Sequence, residues 1–134
     1  MVSVGFIGLG NVGGKLAGSL LRNGIDLTVR DLDRDVAQPF LDGGAAWGES
    51  PKAMAEACDV MITCLPSPAA SAAVMEAEDG ILAGLGPDKI WAEMSTTDEA
   101  EVKRLGAMVA ATGAAAVDCP VSGGCHRAAT GNIA

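Results

Sequence analysis

Gly8, Gly10 and Gly13 stand in the run Gly8-Leu9-Gly10-Asn11-Val12-Gly13, directly after a short apolar stretch and at the opening of a helical one. Glycines at this spacing let a chain turn sharply out of a strand, bring its backbone against a pyrophosphate, and pack the next helix closely. The chemistry implied is anion binding by backbone N–H groups at a helix N-terminus, where the unpaired donors and the positive end of the helix dipole lie. A chain with 18 glycines could produce this hexapeptide by accident, so its context decides. Asp31 supplies that context, because it ends the next strand-like run 18 residues after Gly13. A carboxylate there accepts hydrogen bonds from an adenosine ribose diol and repels a 2′-phosphate, which predicts NAD as the cofactor in preference to NADP. Arg30 and Arg34 flank Asp31 and could soften that preference.

The elements that must position these residues alternate along the chain. Strands are expected at 3–7, 26–30, 45–47, 59–65, 89–94 and 115–118, each apolar or alternating and bounded by turn residues. A helix over 11–23 ends at Gly24, and one around 35–41 contains Pro39, which should kink it or delay its start. Ser50-Pro51 and Ser67-Pro68 each read as an N-cap followed by proline at the first helical position, opening helices to about 57 and 76. Thr96 or Thr97, with acids at Asp98, Glu99 and Glu101, starts a helix that runs to about 112 and stops at Gly113. Such alternation predicts an α/β fold of the Rossmann type: a doubly wound, mostly parallel sheet with helices on both faces. Ligands of these sheets bind beyond the carboxyl ends of the strands, where the strand order reverses.

Length and composition narrow the function classes. The 134 residues suit one domain, a dinucleotide-binding unit over 1–134, with a core built from Ala, Val, Ile, Leu and Met because only two Trp, two Phe and no Tyr occur. A net charge of −8 argues against nucleic acid and anionic membrane surfaces as partners. No apolar run approaches the roughly 18 residues of a membrane span, and no leader-like segment precedes the first strand, so a cytoplasmic protein is expected. Cys58, Cys64, Cys119 and Cys125 form no C-x-x-C pair and read as buried thiols of a reducing compartment. Met54, Met61, Met75, Met94 and Met108 read as core fillers, and His126, the single histidine, as a solvated loop residue without a partner for base chemistry. Met1 reads as a start, whereas Gly131-Asn132-Ile133-Ala134 reads as an interruption rather than an end.

Further stretches carry a family resemblance. Residues 5–13, Thr63-Cys64-Leu65-Pro66, Ser95-Thr96 and Asp118-Cys119-Pro120-Val121-Ser122-Gly123-Gly124, followed by Ala128 and Gly131, resemble the N-terminal domain of the β-hydroxyacid dehydrogenases, the family of 3-hydroxyisobutyrate and 6-phosphogluconate dehydrogenases. The resemblance spans nearly the whole chain. Departures are Val12 where methionine is more usual, Glu93-Met94 before Ser95 where the family has aspartate-serine, and Cys119 in place of alanine. The resemblance implies that Leu65 and Pro66 border the cofactor and that the Ser95-Thr96 pair lies near the nicotinamide, with Thr96 as a cofactor-binding residue. It also implies that Ser122, Gly123 and Gly124 receive a substrate carboxylate; read alone, that run is a Gly-rich turn.

What the resemblance implies about activity is hydride transfer between NAD and a small, carboxylate-bearing 3-hydroxy acid. Such a reaction needs a group that takes and returns the hydroxyl proton. In the family this is a lysine on the helix joining the two domains, and Lys15, Lys52, Lys89 and Lys103 do not match its position, so the catalytic lysine is expected beyond Ala134. The family's C-terminal helical domain, through which the parent would form a homo-oligomer, is absent as well. On this reading the chain alone binds NAD and turns over little. A stand-alone NAD-binding module and an imine-reductase-like relative stay open as alternatives.

Overall fold

The computed structural model describes residues 2–95 and 98–119. Strands and helices follow one another as β1 (Ser3–Ile7), α1 (Asn11–Arg22), β2 (Asp26–Arg30), α2 (Arg34–Asp42), β3 (Ala46–Trp47), α3 (Pro51–Ala57), β4 (Val60–Thr63), α4 (Pro68–Glu76), α5 (Ile81–Gly84), β5 (Ile90–Glu93), α6 (Glu99–Ala111) and β6 (Ala115–Asp118). The strands form one sheet in the order β3-β2-β1-β4-β5-β6, and each neighbouring pair runs parallel. The order therefore reverses between β1 and β4: the chain winds outward through β2 and β3, then crosses back to lay β4 on the other side of β1.

Period-two alternation sorts the core onto two faces. Val4 and Phe6 of β1 point to one side, where they meet Leu16 and Ala17 of α1, Ala37 of α2, and Leu27 and Val29 of β2. Ile7 points to the other, with Met61, Trp91, Met54 of α3, Met75 of α4, Ile81 of α5, and Leu105 and Val109 of α6. Helices thus cover both faces, as the alternation predicts. Phe6 and Trp91 are the large anchors of the two faces, at 0% and 1% exposure. Burying a side chain of that size stabilises by about 1.5–3 kcal/mol.

Local signals set the helix starts. Ser50 Oγ accepts the Ala53 amide at 3.0 Å and Ser67 Oγ that of Ala70 at 3.1 Å, with Pro51 and Pro68 at the first helical positions. Some expectations need correction. α2 begins at Arg34, because the Asp33 carboxylate caps it through the Asp35 amide, and the helix continues past Pro39 rather than starting late. Asp98, not a threonine, caps α6, accepting from the Glu101 amide at 3.3 Å; Thr96 and Thr97 lie outside the described residues. β4 stops at Thr63, leaving Leu65 and Pro66 in the turn beyond it. α5 is an addition: four residues are too few to carry a helical period, and the helix lies so close to α3 that a Cβ on Gly84 would stand 2.4 Å from the Lys52 carbonyl. Met54, Met61 and Met75 are buried as expected. Met94 is only half-buried, and Met108 is 37% exposed because it sits beside the Leu105–Val109 stripe of α6, against Arg104.

Candidate functional site

A cleft of about 740 Å³ opens at the carboxyl ends of β1 and β4, where the strand order reverses. Its rim is an extension of the sheet ladder: the Gly8 amide donates to the Arg30 carbonyl, Cys64 to Ile7, and Met94 to Thr63, at 3.1, 3.0 and 2.8 Å. Loops that leave a rigid sheet through such bonds hold their backbones in fixed positions.

The three glycines of the first turn do different things there. Gly8 has φ of +103°, and a Cβ on it would lie 2.2 Å from the Cys64 carbonyl oxygen. A Cβ on Gly13 would lie 2.0 Å from the Gly8 carbonyl oxygen, so this residue lets α1 start directly against the turn. Gly10 has nothing within 4 Å of where its Cβ would be and faces open space. α1 begins at this open position with no side-chain cap and no acid in its first turn, whereas α2, α3, α4 and α6 are all capped by side chains. The amides opening α1 are thus the cleft's natural anion donors.

Asp31, half-buried, lines the same cleft. Its Oδ2 accepts the Leu9 amide at 2.8 Å and its Oδ1 the Asp33 amide at 3.1 Å. Each oxygen keeps acceptor capacity for a further donor. Arg30 Nη1 is committed to the carbonyls of Gly48 and Glu49, at 2.7 and 3.0 Å, and both Arg30 and Arg34 lie over the Trp47 ring, at 5.4 and 4.8 Å from its centroid.

Eight of the residues singled out from the sequence line this one cleft: Gly8, Gly10, Asn11, Val12, Gly13, Asp31, Leu65 and Pro66. Leu9 does not, since its side chain is buried in the core beneath and its amide is bound by Asp31. Thr96, Ser122, Gly123 and Gly124 lie outside the described residues, as do Cys125 and His126. Sequence reasoning missed the far wall, made by Ala70, Ala73, Val74 and Ala77 on and after α4. The α4 wall offered no signal beyond small side chains. Ser95, named with Thr96 in the sequence, does line the cleft, and its Oγ accepts the Leu65 amide at 2.6 Å.

The remaining reactive groups are accounted for without catalysis. Burial pushes the Cys64 thiol up, with the Glu93 carboxylate adding to the effect, so the thiol at the cleft floor stays protonated; burial likewise raises that of Cys58. Lys89 donates to the Glu56 and Cys58 carbonyls at 2.9 and 2.8 Å, closing the end of α3. Lys103 pairs with Glu99 on an exposed face, Lys15 and Lys52 are exposed on α1 and α3, and none of the four lines the cleft. Among the described residues no cluster of His, Cys, Asp or Glu could hold a metal ion, and no helix is long and apolar enough to cross a membrane.

The chain's similarities point the same way. The family model described as the NAD binding domain of 6-phosphogluconate dehydrogenase matches residues 3–134. The mitochondrial 3-hydroxyisobutyrate dehydrogenase of Rattus norvegicus is 38% identical over 130 residues, which cover 97% of this chain and 39% of that protein. Among solved structures, Psf3 in complex with NADP+ and 2-OPP superposes with a TM-score of 0.92 at 33% identity, over 97% of this chain and 46% of its own. The 3-hydroxyisobutyrate dehydrogenase of Mycobacterium tuberculosis with L-serine gives 0.88 at 27% identity, over 99% and 45%. The chain thus spans less than half the length of each of these relatives.

Proposed function

This chain belongs to the family of 6-phosphogluconate dehydrogenase NAD-binding domains, and from that premise we propose that it holds NAD in the crevice between β1 and β4. It would serve as the cofactor half of a dehydrogenase that moves hydride between NAD and a small 3-hydroxy acid. The observation that carries this reading is Gly10, which leaves open space over the uncapped start of α1 with the Asp31 carboxylate beside it in the same cleft.

A pyrophosphate seated over Gly10 would take the amides of the first turn of α1, and the dipole of that helix would favour its charge. Asp31 on β2 would then accept from the adenosine ribose diol. The nicotinamide ring, once bound, supplies the hydride chemistry. Leu65 and Pro66 would border that end, and Thr96 is a further residue we assign to the nicotinamide. The cleft volume is within the range of small-molecule sites. Asp31 has two backbone amides already bound to it and presents negative charge where a 2′-phosphate would sit, while Arg30 is committed to backbone carbonyls; this supports NAD over NADP. Psf3, which carries NADP+, makes the choice a matter for measurement.

The substrate half of the proposal rests on relatives. L-serine, present with the Mycobacterium tuberculosis enzyme, is itself a small 3-hydroxy acid, and Ser122, Gly123 and Gly124 are the residues we assign to its carboxylate. The proton acceptor is not one of this chain's four lysines on our reading, and the chain alone is expected to be inactive. The described cysteines are free, in keeping with a reducing compartment, and we assign the cytoplasm, although the rat relative is mitochondrial.

Isothermal titration of the chain with NAD and NADP tests the core of the proposal. Binding of NAD is expected, with Asp31→Ala weakening it by roughly 10- to 100-fold, the worth of hydrogen bonds to a charged group, and narrowing the gap to NADP. No affinity for either dinucleotide would end the proposal, and an Asp31→Ala chain with unaltered affinities would remove the ribose assignment alone.

A further inference from the structure

Beneath the crevice runs a polar chain that pyrophosphate binding does not require. Glu93, at the carboxyl end of β5, is 0% exposed. A carboxyl group is costly to bury unless its oxygens find donors. Oε1 accepts from the Thr63 hydroxyl at 2.9 Å and from the Ser95 amide at 3.0 Å, while Oε2 has no hydrogen-bond partner among the described residues. Trp91 fixes the direction of the protons. Its indole N–H can only donate, and it donates to Thr63 Oγ1 at 3.0 Å, so the Thr63 proton is turned toward Glu93. Ser95, positioned through its amide, accepts the Leu65 amide on its own Oγ at 2.6 Å. Among the described residues no acceptor takes the hydroxyl proton of Ser95, which lines the cleft.

The sheet order says which part of a dinucleotide this chain faces. Asp31 follows β2, on one side of β1; Leu65 follows β4 and Ser95 lies beyond β5, on the other side. A dinucleotide with its pyrophosphate over the first turn and its adenosine at Asp31 must direct its nicotinamide half toward Leu65 and Ser95. A buried acid with one unmatched oxygen is poor as packing, and such groups persist where they hold a geometry in place.

We propose that Glu93 is a positioning residue for the nicotinamide half: its carboxylate fixes Ser95, and through Ser95 the Leu65-Pro66 turn, in the arrangement that receives the ring. This rests on the reading that the crevice takes a dinucleotide. The test compares NAD with ADP-ribose, which keeps the adenosine, the diphosphate and the second ribose but lacks the ring. Calorimetric titration of both ligands into the unsubstituted chain, Glu93→Gln and Ser95→Ala is expected to give tighter binding of NAD than of ADP-ribose in the unsubstituted chain. In the variants that advantage shrinks by roughly fivefold, the loss of about one hydrogen bond, with ADP-ribose affinity unchanged. A general loss of folding would lower both affinities together and leave the ratio alone, so the ratio separates positioning from stability. Should Glu93→Gln not fold, Ser95→Ala, which deletes one hydroxyl, carries the test. If the unsubstituted chain binds neither ligand, the dinucleotide reading itself fails. If it binds both, and the ratio is near one or is the same in the variants, the Glu93 assignment fails and the dinucleotide reading stands.

Discussion

Gly10 and Gly13 are the same residue three positions apart, and the structure separates what each does. Gly10 has φ of −71°, a conformation open to any residue, and no neighbour for an added methyl group. Gly10→Ala should therefore leave stability within about 1 kcal/mol while placing the methyl where a pyrophosphate must approach. Gly13→Ala would drive a Cβ to 2.0 Å from the Gly8 carbonyl. Overpacking against backbone costs about 1–3 kcal/mol or more, so this variant should lose stability first and affinity with it. Thermal melts alongside NAD titrations check the pair; an intact NAD affinity in Gly10→Ala would break the assignment of the open position. At this scale the sequence was readable where a residue type is demanded by geometry. The tight turn at Gly8, the close packing at Gly13 and the closeness of Asp31 were legible from the spacing together with its strand-to-helix context. Leu9 shows the limit: the motif includes it, yet it faces the core, because a spacing rule counts residues and does not say which way a side chain turns.

Element boundaries were legible where a side chain caps a helix, and less so elsewhere. Ser50-Pro51 and Ser67-Pro68 marked α3 and α4, whereas α5 has too few residues for a pattern and depends on contact with α3. How α4 and α6 are joined could not be read at all, because Glu76 and Arg104 are far apart in the chain. Arg104 donates to both Glu76 oxygens, at 2.8 and 2.7 Å, and its Nε to Glu101 at 3.0 Å. These hydrogen bonds, more than the charge itself, hold the Glu76 and Glu101 carboxyls below their ordinary value of 4.5, and Asp59 is held below its own 3.8 chiefly by the Ser3 amide. Acids whose folded pKa is depressed contribute stability that is fully present above the unfolded value and lost as pH falls through the folded one. Urea unfolding should therefore show the chain weakening below about pH 4.5. Arg104→Met should be less stable at pH 7 and should converge with the unsubstituted chain once both glutamates are protonated. The pairs are partly exposed, so salt should shrink the difference. A gap between the two proteins that persists at pH 2 would mean that Arg104 acts through packing and not through its carboxylates.

The molecule as a whole is built around the crossover between β1 and β4, and here the sequence spoke only in part. Alternating strands and helices imply parallel pairing and ligand binding at the strands' carboxyl ends, but they do not say which strands lie side by side. The order is decided by how Val4 and Phe6 on one face and Ile7 on the other are covered, a packing outcome. Two properties of the whole chain then set its expected behaviour. Its charge of −8 opposes the approach of an anionic dinucleotide, so affinity must come from the short-range amides at the start of α1. Its four lysines are exposed or engaged away from the cleft, so on the proposed reading none of them receives the proton of a substrate hydroxyl. Binding and turnover should accordingly come apart. Saturating NAD, at about 100 times its dissociation constant, should stabilise the fold by about 2.7 kcal/mol, a shift in the melting midpoint of roughly 10 °C for a chain of this size. The same sample, given L-serine or another small 3-hydroxy acid, should form no NADH above background, since loss of general acid–base assistance alone typically costs about 10²–10⁴ in rate. A melting shift without NADH formation fits a cofactor half that depends on a proton acceptor from outside these residues. NADH formation by this chain alone would overturn that dependence and direct attention back to the cleft, where Ser95 and the Asp31 carboxylate would be the groups to substitute next.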